Sequence, residues 1–463
     1  MEKKKSSFSG QIGFVLTAAG SAVGVGNLWR FPYLATKDSG GLFLLVYLVL
    51  VLTFGFTLLT SDIAIGRRTK ESAIGAYTQI SPRWKFLGIL TFLVPVLIMT
   101  YYAVIGGWVT KYAVVYLTGQ TEAAATDGYF TSFITLPVAP VVFALLFMGV
   151  TAFIVYNGVE GGIERVSHYM MPILLVLVVV IAGYSLTLHH TGADGETRTG
   201  VQGFLYYLTP HFEGLTVSRF LQILLDAMSQ LFFSLSVSMG IMITYRSYVK
   251  DDVDLNKAVN QIEIFDTGVA LLAGAMIIPA VYVFSGTEGM SAGPSLMFIS
   301  LPKVFAAMGK AGTVVGLLFF ITTIFATVTS CILVLESITA NCMEIFHTSR
   351  KRTVLVLTVI YLAASAVIAL GYSVFYFEVK LPNGSVGQML DIMDYISNSV
   401  MMPLIALLST VLIGWIKTPD YVIGEMERNG ETFRRKKLYT IMIRYVAPVM
   451  MLVLFMQSTG ILA

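Results

Sequence analysis

With 463 residues, 56% of them hydrophobic and only 12% charged, the chain carries about half the charge of an ordinary soluble domain. At a mean hydropathy of +0.78 it reads as a polytopic membrane protein. The net charge of +3 reflects cations placed at span ends rather than nucleic-acid binding, and no phosphate-cradling Walker loop for ATP is present.

A bilayer crossing needs about 20 apolar residues. Eleven runs qualify, at 12–36, 41–65, 86–117, 137–156, 166–189, 219–248, 258–285, 312–346, 353–377, 389–416 and 438–460. Met1–Lys5 leads into a full-length first span without a small-residue cleavage pattern, so no removable signal peptide is expected. Lys3, Lys4, Lys5, Arg67, Arg68, Lys70, Arg83, Lys85, Arg165, Arg350–Arg352 and Arg434–Lys437 all fall on one side if the spans alternate. The loops of the other side, such as 120–132 with Glu122 and Asp127, are poorer in cations. That asymmetry predicts a cytoplasmic amino terminus and an external carboxyl terminus. Cys331 and Cys342 sit eleven residues apart on one span, where no disulfide can form. His189 and His190 at a helix end are read as interface residues rather than metal ligands.

Span 1 is built to break. Residues 20–33 read GSAVGVGNLWRFPY, and Gly20, Gly24 and Gly26 together cost roughly 3 kcal/mol of helix propensity against alanine. Lipid tolerates no unpaired backbone, so the break must line a protein-walled cavity, where carbonyls meet cations and amides meet anions. Span 2 carries an intramembrane carboxylate, Asp62, expected to face the broken part of span 6 and to support its free amides. Span 6 itself reads QLFFSLSVSMG over 230–240, three serines and a glycine that are poor helix material. Interruptions in spans 1 and 6 occupy matching places in two five-span halves. Five being odd, the second half must be inverted, and paired breaks point to a binding site between the halves. In span 7, Asp266 is a functional candidate by its cost in lipid, although it could also stand at the cytoplasmic mouth beside Glu263. In span 8, Ala326, Thr329 and Ser330 share a helical face. Their hydroxyls either bond back to the preceding turn or offer oxygens to a hard cation.

The expected organisation is a cytoplasmic segment over 1–11, a first five-helix repeat over 12–190 and an external loop over 191–218. A second, inverted repeat over 219–416, a cytoplasmic loop over 417–437 and a last helix over 438–463 complete it.

Five co-linear motifs carry a resemblance: AVGVGNLWRFP over 22–32, Gly66-Arg67-Arg68, FFSLS over 232–236, Thr244-Tyr245 with Ser247-Tyr248, and ATVTS over 326–330. Through them the chain resembles prokaryotic neurotransmitter:sodium symporters, including the bacterial leucine and multi-hydrophobic amino acid transporters, and the likeness runs through most of its length. The resemblance implies an all-α polytopic fold with a 5+5 inverted-repeat core, discontinuous helices 1 and 6 and a peripheral eleventh helix. It implies sodium-coupled import of a neutral, hydrophobic or aromatic L-amino acid across the plasma membrane, with no enzymatic activity. The bilayer and the amino acid are the implied partners, with no nucleotide or nucleic acid. A non-transporting amino-acid sensor and a proton-coupled carrier are the competing readings.

Carried over residue by residue, one sodium would meet the carbonyls of Gly20, Val23 and Ala326 and the hydroxyls of Thr329 and Ser330. The other would meet Ala22, Asn27, Ser234 and Asp266 together with the substrate carboxylate. Tyr47, Gln230 and Ser234 match the chloride ligands of chloride-dependent relatives. Asp266 stands where the family has asparagine, and Ala270 where the leucine transporter has glutamate, so chloride should not be required. Gly24 replaces the aspartate of the monoamine carriers and leaves room for a substrate carboxylate, held by amides around Ala22, Gly24 and Gly26 and by the Tyr102 hydroxyl. The substrate amine would meet carbonyls near Phe233 and Ser236, along with the Ser236 hydroxyl. Its side chain would lie among Ser21, Ile98, Tyr102, Phe233, Ser238, Met239, Ser330 and Val334. Met239 replaces a phenylalanine and suits larger side chains, unless it is ordinary core. Ser238 replaces a glycine and Ser21 an asparagine. Arg30 and Asp394 would close the outer side, directly or through water. Lys5, standing for an arginine, would close the inner side with Glu344 near Ser247 and Tyr248, while Phe8 stands for the usual tryptophan. Each sodium entering with a zwitterion would gain about 2.3 kcal/mol per 100 mV of membrane potential.

Overall fold

The structure, a computed structural model, describes residues 8, 10–192, 195–249, 253–286, 289 and 294–462. Among them nine helices are long and apolar enough to cross a bilayer, and the pair Gln11–Ala22 and Gly26–Lys37 forms one more span bent by 53°. The nine are Gly41–Thr69, Pro82–Leu117, Ala139–Tyr156, Val159–Leu186, Leu255–Ser285, Lys310–Phe346, Arg350–Leu370, Met389–Ile416 and Lys436–Ser458. Span 6 lies between the fifth and sixth crossings counted here as Val159–Leu186 and Leu255–Ser285, and is split into Val217–Ser234 and Ile241–Ser247. With it the crossings are numbered 1 to 11 in chain order.

Spans 3 and 8 pack along each other, span 4 lies against spans 3 and 9, span 5 against span 7, and span 10 against span 11. The broken spans 1 and 6 meet at the centre of this arrangement. Span 9 stops at Leu370, earlier than its apolar run suggests: Gly371 caps it, and Phe375, Tyr376 and Phe377 lie exposed beyond, as aromatic residues do at a membrane boundary. The stretch after span 5, expected as loop, folds into a short hairpin pairing His189–Thr191 with Thr197–Thr199 and a helix over Gly200–Leu208. That helix starts at a capping box in which Thr199 and Gln202 satisfy each other's backbone amides.

The halves of the two broken spans are tied at the side opposite Phe8. Lys37, at the end of span 1, pairs with Asp226 of span 6 at 2.6 Å, and Arg219 pairs with the buried Asp38 at 3.1 Å. On the Phe8 side the closure is aromatic. The Phe8 amide donates to the Tyr248 carbonyl at 3.3 Å, and its buried ring packs 5.9 Å from both Phe14 and Tyr245.

Candidate functional site

The helix of span 1 ends at Ala22, and Val23 is extended (φ −78°, ψ 95°), so the chain unwinds before helical structure resumes at Gly26. In span 6 the break is sharper. Ser236 (φ +51°), Ser238 (φ +62°) and Gly240 (φ +71°) are left-handed, a conformation that costs an L-residue about 1–2 kcal/mol. Two contacts hold it. The Ser238 amide donates to Asp62 Oδ2 at 3.0 Å, and the Ser236 hydroxyl donates to the Ser21 carbonyl at 3.2 Å. Asp62 therefore supports the free backbone of span 6.

The two breaks enclose a small cavity of about 30 Å³ lined by Ser21, Ala22, Gly24, Asn27, Ile98, Tyr102, Phe233, Ser236, Met239, Ser330 and Val334. A Cβ at Gly24 would stand 3.1 Å from both the Tyr102 and the Ser330 hydroxyl oxygens, so the backbone alone occupies this place. Gly26 lies under the Phe233 ring, where a Cβ would meet the ring at 2.6 Å. Ser238, expected in the side-chain pocket, is not among the lining residues. Its left-handed backbone turns the amide to Asp62, and Met239 takes the lining position instead. Gly26 and Ser234 likewise lie beside the cavity rather than in its wall.

On one flank the Ser330 hydroxyl stands 3.2 Å from the Gly20 carbonyl oxygen, 3.4 Å from that of Ser21 and 3.3 Å from that of Val23. One hydroxyl proton cannot serve three carbonyls, so the place has surplus lone pairs of the kind a hard cation takes up. Thr329 behaves differently, its hydroxyl donating back to the Phe325 carbonyl at 2.8 Å and lying 3.1 Å from that of Ala326. The Thr329 hydroxyl bonds back to the preceding turn, while that of Ser330 faces the carbonyls of the span 1 break.

On the other flank Asp266 is fully buried. Its Oδ1 accepts from the Asn27 amide at 3.0 Å and from the Ser234 hydroxyl at 2.7 Å. The Asn27 Oδ1 in turn lies 3.3 Å from the Ser234 hydroxyl and 3.4 Å from the Gly24 amide. Asp266 Oδ2 has no hydrogen-bond partner, nor do Gln230 Oε1 and the Tyr47 hydroxyl. No cationic side chain among the described residues lies within 4.0 Å of Asp266. A buried carboxylate with an orphaned oxygen and a ring of neutral oxygens around it fits a monovalent cation. The Gln230 Nε2 donates to the Gly26 carbonyl at 3.3 Å, tying span 6 to the break in span 1.

Phe233 also lines a second, larger cavity of about 400 Å³, together with Trp29, Arg30, Tyr33, Tyr101 and Asp394. Its ring separates this vestibule from the inner cavity. Arg30 and Asp394 face the vestibule without a direct ion pair. Arg30 donates to the Ser229 hydroxyl at 2.6 Å, while Asp394 accepts from the Tyr101 hydroxyl at 2.9 Å and the Asn398 amide at 2.6 Å. Toward Phe8, Lys5 lies outside the described residues. Glu344 accepts from the Ser72 amide at 2.9 Å. The nearby Tyr248 donates its hydroxyl to Glu336 at 2.9 Å. Glu336, fully buried, takes both guanidinium arms of Arg350. Sequence reasoning missed this pair, although a carboxylate within an apolar span was the available signal.

The pattern described as the Sodium:neurotransmitter symporter family matches residues 5–131 and 136–462. An uncharacterized sodium-dependent transporter of Bacillus subtilis is 33% identical over 469 residues, covering 100% of this chain and 99% of that protein. An uncharacterized sodium-dependent transporter of Haemophilus influenzae is 30% identical, covering 98% of each. The crystal structure of MhsT in complex with L-phenylalanine matches with a TM-score of 0.83 at 34% identity, over 98% of this chain and 100% of MhsT. With paired broken spans around an oxygen-rich centre and matches along its whole length, the chain belongs to the sodium:neurotransmitter symporter family.

Proposed function

We propose that the protein imports a neutral, hydrophobic or aromatic L-amino acid together with two sodium ions by alternating access, without a need for chloride. The observation that carries this reading is the cavity between the two breaks, lined by Gly24, Tyr102, Ser330 and Asn27, the last of which bonds to Asp266 with its orphaned oxygen. A zwitterion fits there with its carboxylate on the Tyr102 hydroxyl, the Gly24–Gly26 backbone and one sodium, all charge-assisted contacts. Its amine meets the carbonyls left open where span 6 unwinds. Ile98, Val334, Phe233 and Met239 supply the apolar wall for its side chain. The cavity as it stands has room for a water or two, so the substrate enters by displacing the flexible Met239 and the Phe233 ring. The L-phenylalanine bound to MhsT supports an aromatic substrate.

In the proposed orientation the vestibule faces outside and Phe8 faces the cytoplasm. Arg30 and Asp394 approach each other when the outer side closes, and the Glu336–Arg350–Tyr248 network parts when the inner side opens. Counterflow of labelled phenylalanine in sodium-loaded proteoliposomes tests the reading. Sodium-dependent exchange supports it, whereas saturable binding without exchange assigns the chain to the sensors and uptake driven by a pH gradient alone to the proton-coupled carriers. Tyr102→Phe removes one hydroxyl from the carboxylate and is expected to raise KM for phenylalanine about tenfold. The same uptake assay measures it.

A further inference from the structure

We propose that Asp38 and Asp226 bind one proton between them, and that this shared proton locks the outer half of span 1 to the outer half of span 6. Asp38 directly follows Lys37, the last helical residue of span 1, and Asp226 lies in the outer half of span 6, Val217–Ser234. The pair therefore joins the two broken spans that wall the vestibule.

Asp38 is the unusual member. Its side chain is 0% exposed, and neither of its carboxylate oxygens has a hydrogen-bond partner. A buried carboxylate without donors is costly unless it takes a proton. Two cations stand near, yet each makes its hydrogen bond elsewhere. Lys37 donates to Asp226 Oδ2 at 2.6 Å. Arg219 Nη2 stands 3.1 Å from Asp38 Oδ1 but donates to the Lys37 carbonyl, at 2.6 Å. Both cations are partly exposed, and water screens them.

A proton on Asp38 resolves the mismatch, because Asp226 is close enough to accept it. Burial and the charge of Asp226 push the Asp38 carboxyl up to about 7, as expected of two carboxyls that share one proton. Asp226 then accepts from Lys37 and from Asp38, and the bridge runs from the end of span 1 into span 6. The other titratable groups around the pair are Tyr33 and Arg30 of span 1, and Tyr206 and His211 from the stretch before span 6. Tyr206 reaches the Thr36 carbonyl at 3.5 Å and is backed by Tyr282 of span 7. The His211 ring stands 3.3 Å from the Tyr206 carbonyl. None of these groups hydrogen-bonds Asp38.

The turn after Asp38 gives the lock a readout. Ser39 and Gly40 are left-handed, at φ +70° and +58°, and the turn is pinned where the Gly41 amide donates to the Thr209 carbonyl at 3.0 Å and the His211 amide to the Ser39 carbonyl at 3.2 Å. Opening this turn brings Asp38 into water, where a carboxyl of its kind titrates near about 3.9. The closed turn therefore holds the proton more tightly than the open one. Its stability rises as pH falls through 7 and levels off above about 8, where two ionised carboxylates face each other. The inference does not rest on the proposed transport reaction, and only the word outer comes from the proposed orientation.

Hydrogen exchange of the full chain, read by mass spectrometry and corrected for intrinsic exchange rates, tests the lock. Protection of the Gly40, Gly41 and Leu42 amides is expected to be about tenfold higher at pH 6 than at pH 8. Asp38→Asn keeps a neutral donor facing Asp226, so its protection should stay at the pH 6 level throughout. Lys37→Gln removes a cation that favours ionised Asp38 and should move the rise to higher pH, by about one unit. Equal protection of the parent at both pH values would overturn the proposal. So would a change that survives in Asp38→Asn, which would hand the titration to His211. If Asp38→Asn melts early, Lys37→Gln decides alone, and an unmoved rise counts against the pair.

Discussion

Asp266→Asn is expected to lower the apparent sodium affinity on the order of 100-fold in chloride-free medium and to make uptake depend on chloride. The carboxylate is the formal charge that the chain itself brings to this proposed cation site, beside the neutral oxygens of Asn27 and Ser234. Two unit charges about 4 Å apart interact by about 4 kcal/mol at the effective dielectric of a partly buried site, so its loss costs two or more decades. Asparagine keeps the shape and both Asn27 and Ser234 as neighbours. What it lacks is the negative charge, which an anion near Tyr47 and Gln230 would replace, since both have orphaned polar atoms. Uptake measured against sodium concentration in chloride and in gluconate decides the matter. A variant whose sodium dependence is the same in both media would remove Asp266 from the role proposed here.

Gly24→Asp should lower phenylalanine uptake by more than 100-fold while the protein still folds and binds sodium. The new Cβ stands 3.1 Å from the Tyr102 and Ser330 hydroxyl oxygens, a tight but polar fit. Its carboxylate then faces the substrate's own carboxylate, a repulsion of about 4 kcal/mol at 4 Å under the same dielectric. A substrate without a carboxylate escapes that repulsion and gains a partner for its amine. Phenethylamine should therefore protect the variant in a sodium-dependent thermal-shift assay and leave the parent protein unprotected. Protection by phenylalanine at its parental concentration would place the substrate carboxylate elsewhere.

Much of the fold is legible because its essential features are departures from helix. Glycines at 20, 24 and 26, and serines at 234, 236 and 238, are visible as poor helix formers in apolar surroundings. The elements built around them, the paired breaks and the ring of oxygens, follow from backbone physics and from the cost of buried charge. Less legible was which residues face inward after a break. A left-handed residue reverses the local direction of the chain, so Ser238 turned its amide to Asp62 and left the cavity wall to Met239. The Glu336–Arg350 pair was hidden for another reason. Its partners stand on successive helices, and only the turn over 347–349 brings them together. Arg30 and Asp394 show a third limit. Their spacing across the vestibule belongs to one conformation, with Ser229 and Tyr101 as partners, and no sequence pattern distinguishes that conformation from a closed one.

One consequence follows from the unequal thickness of the two closures. Toward Phe8 the pocket lies behind the packed rings of Phe8, Phe14, Tyr245 and Tyr248 and the Glu336–Arg350 pair, whereas on the vestibule side the Phe233 ring intervenes. An electric field falls mainly across the least conductive stretch of its path. In the proposed orientation nearly all of the transmembrane voltage therefore drops on the inner side of the ion sites. Ions arriving from outside should move little charge on docking, and the current should accompany the switch that closes the outer side and opens the inner one.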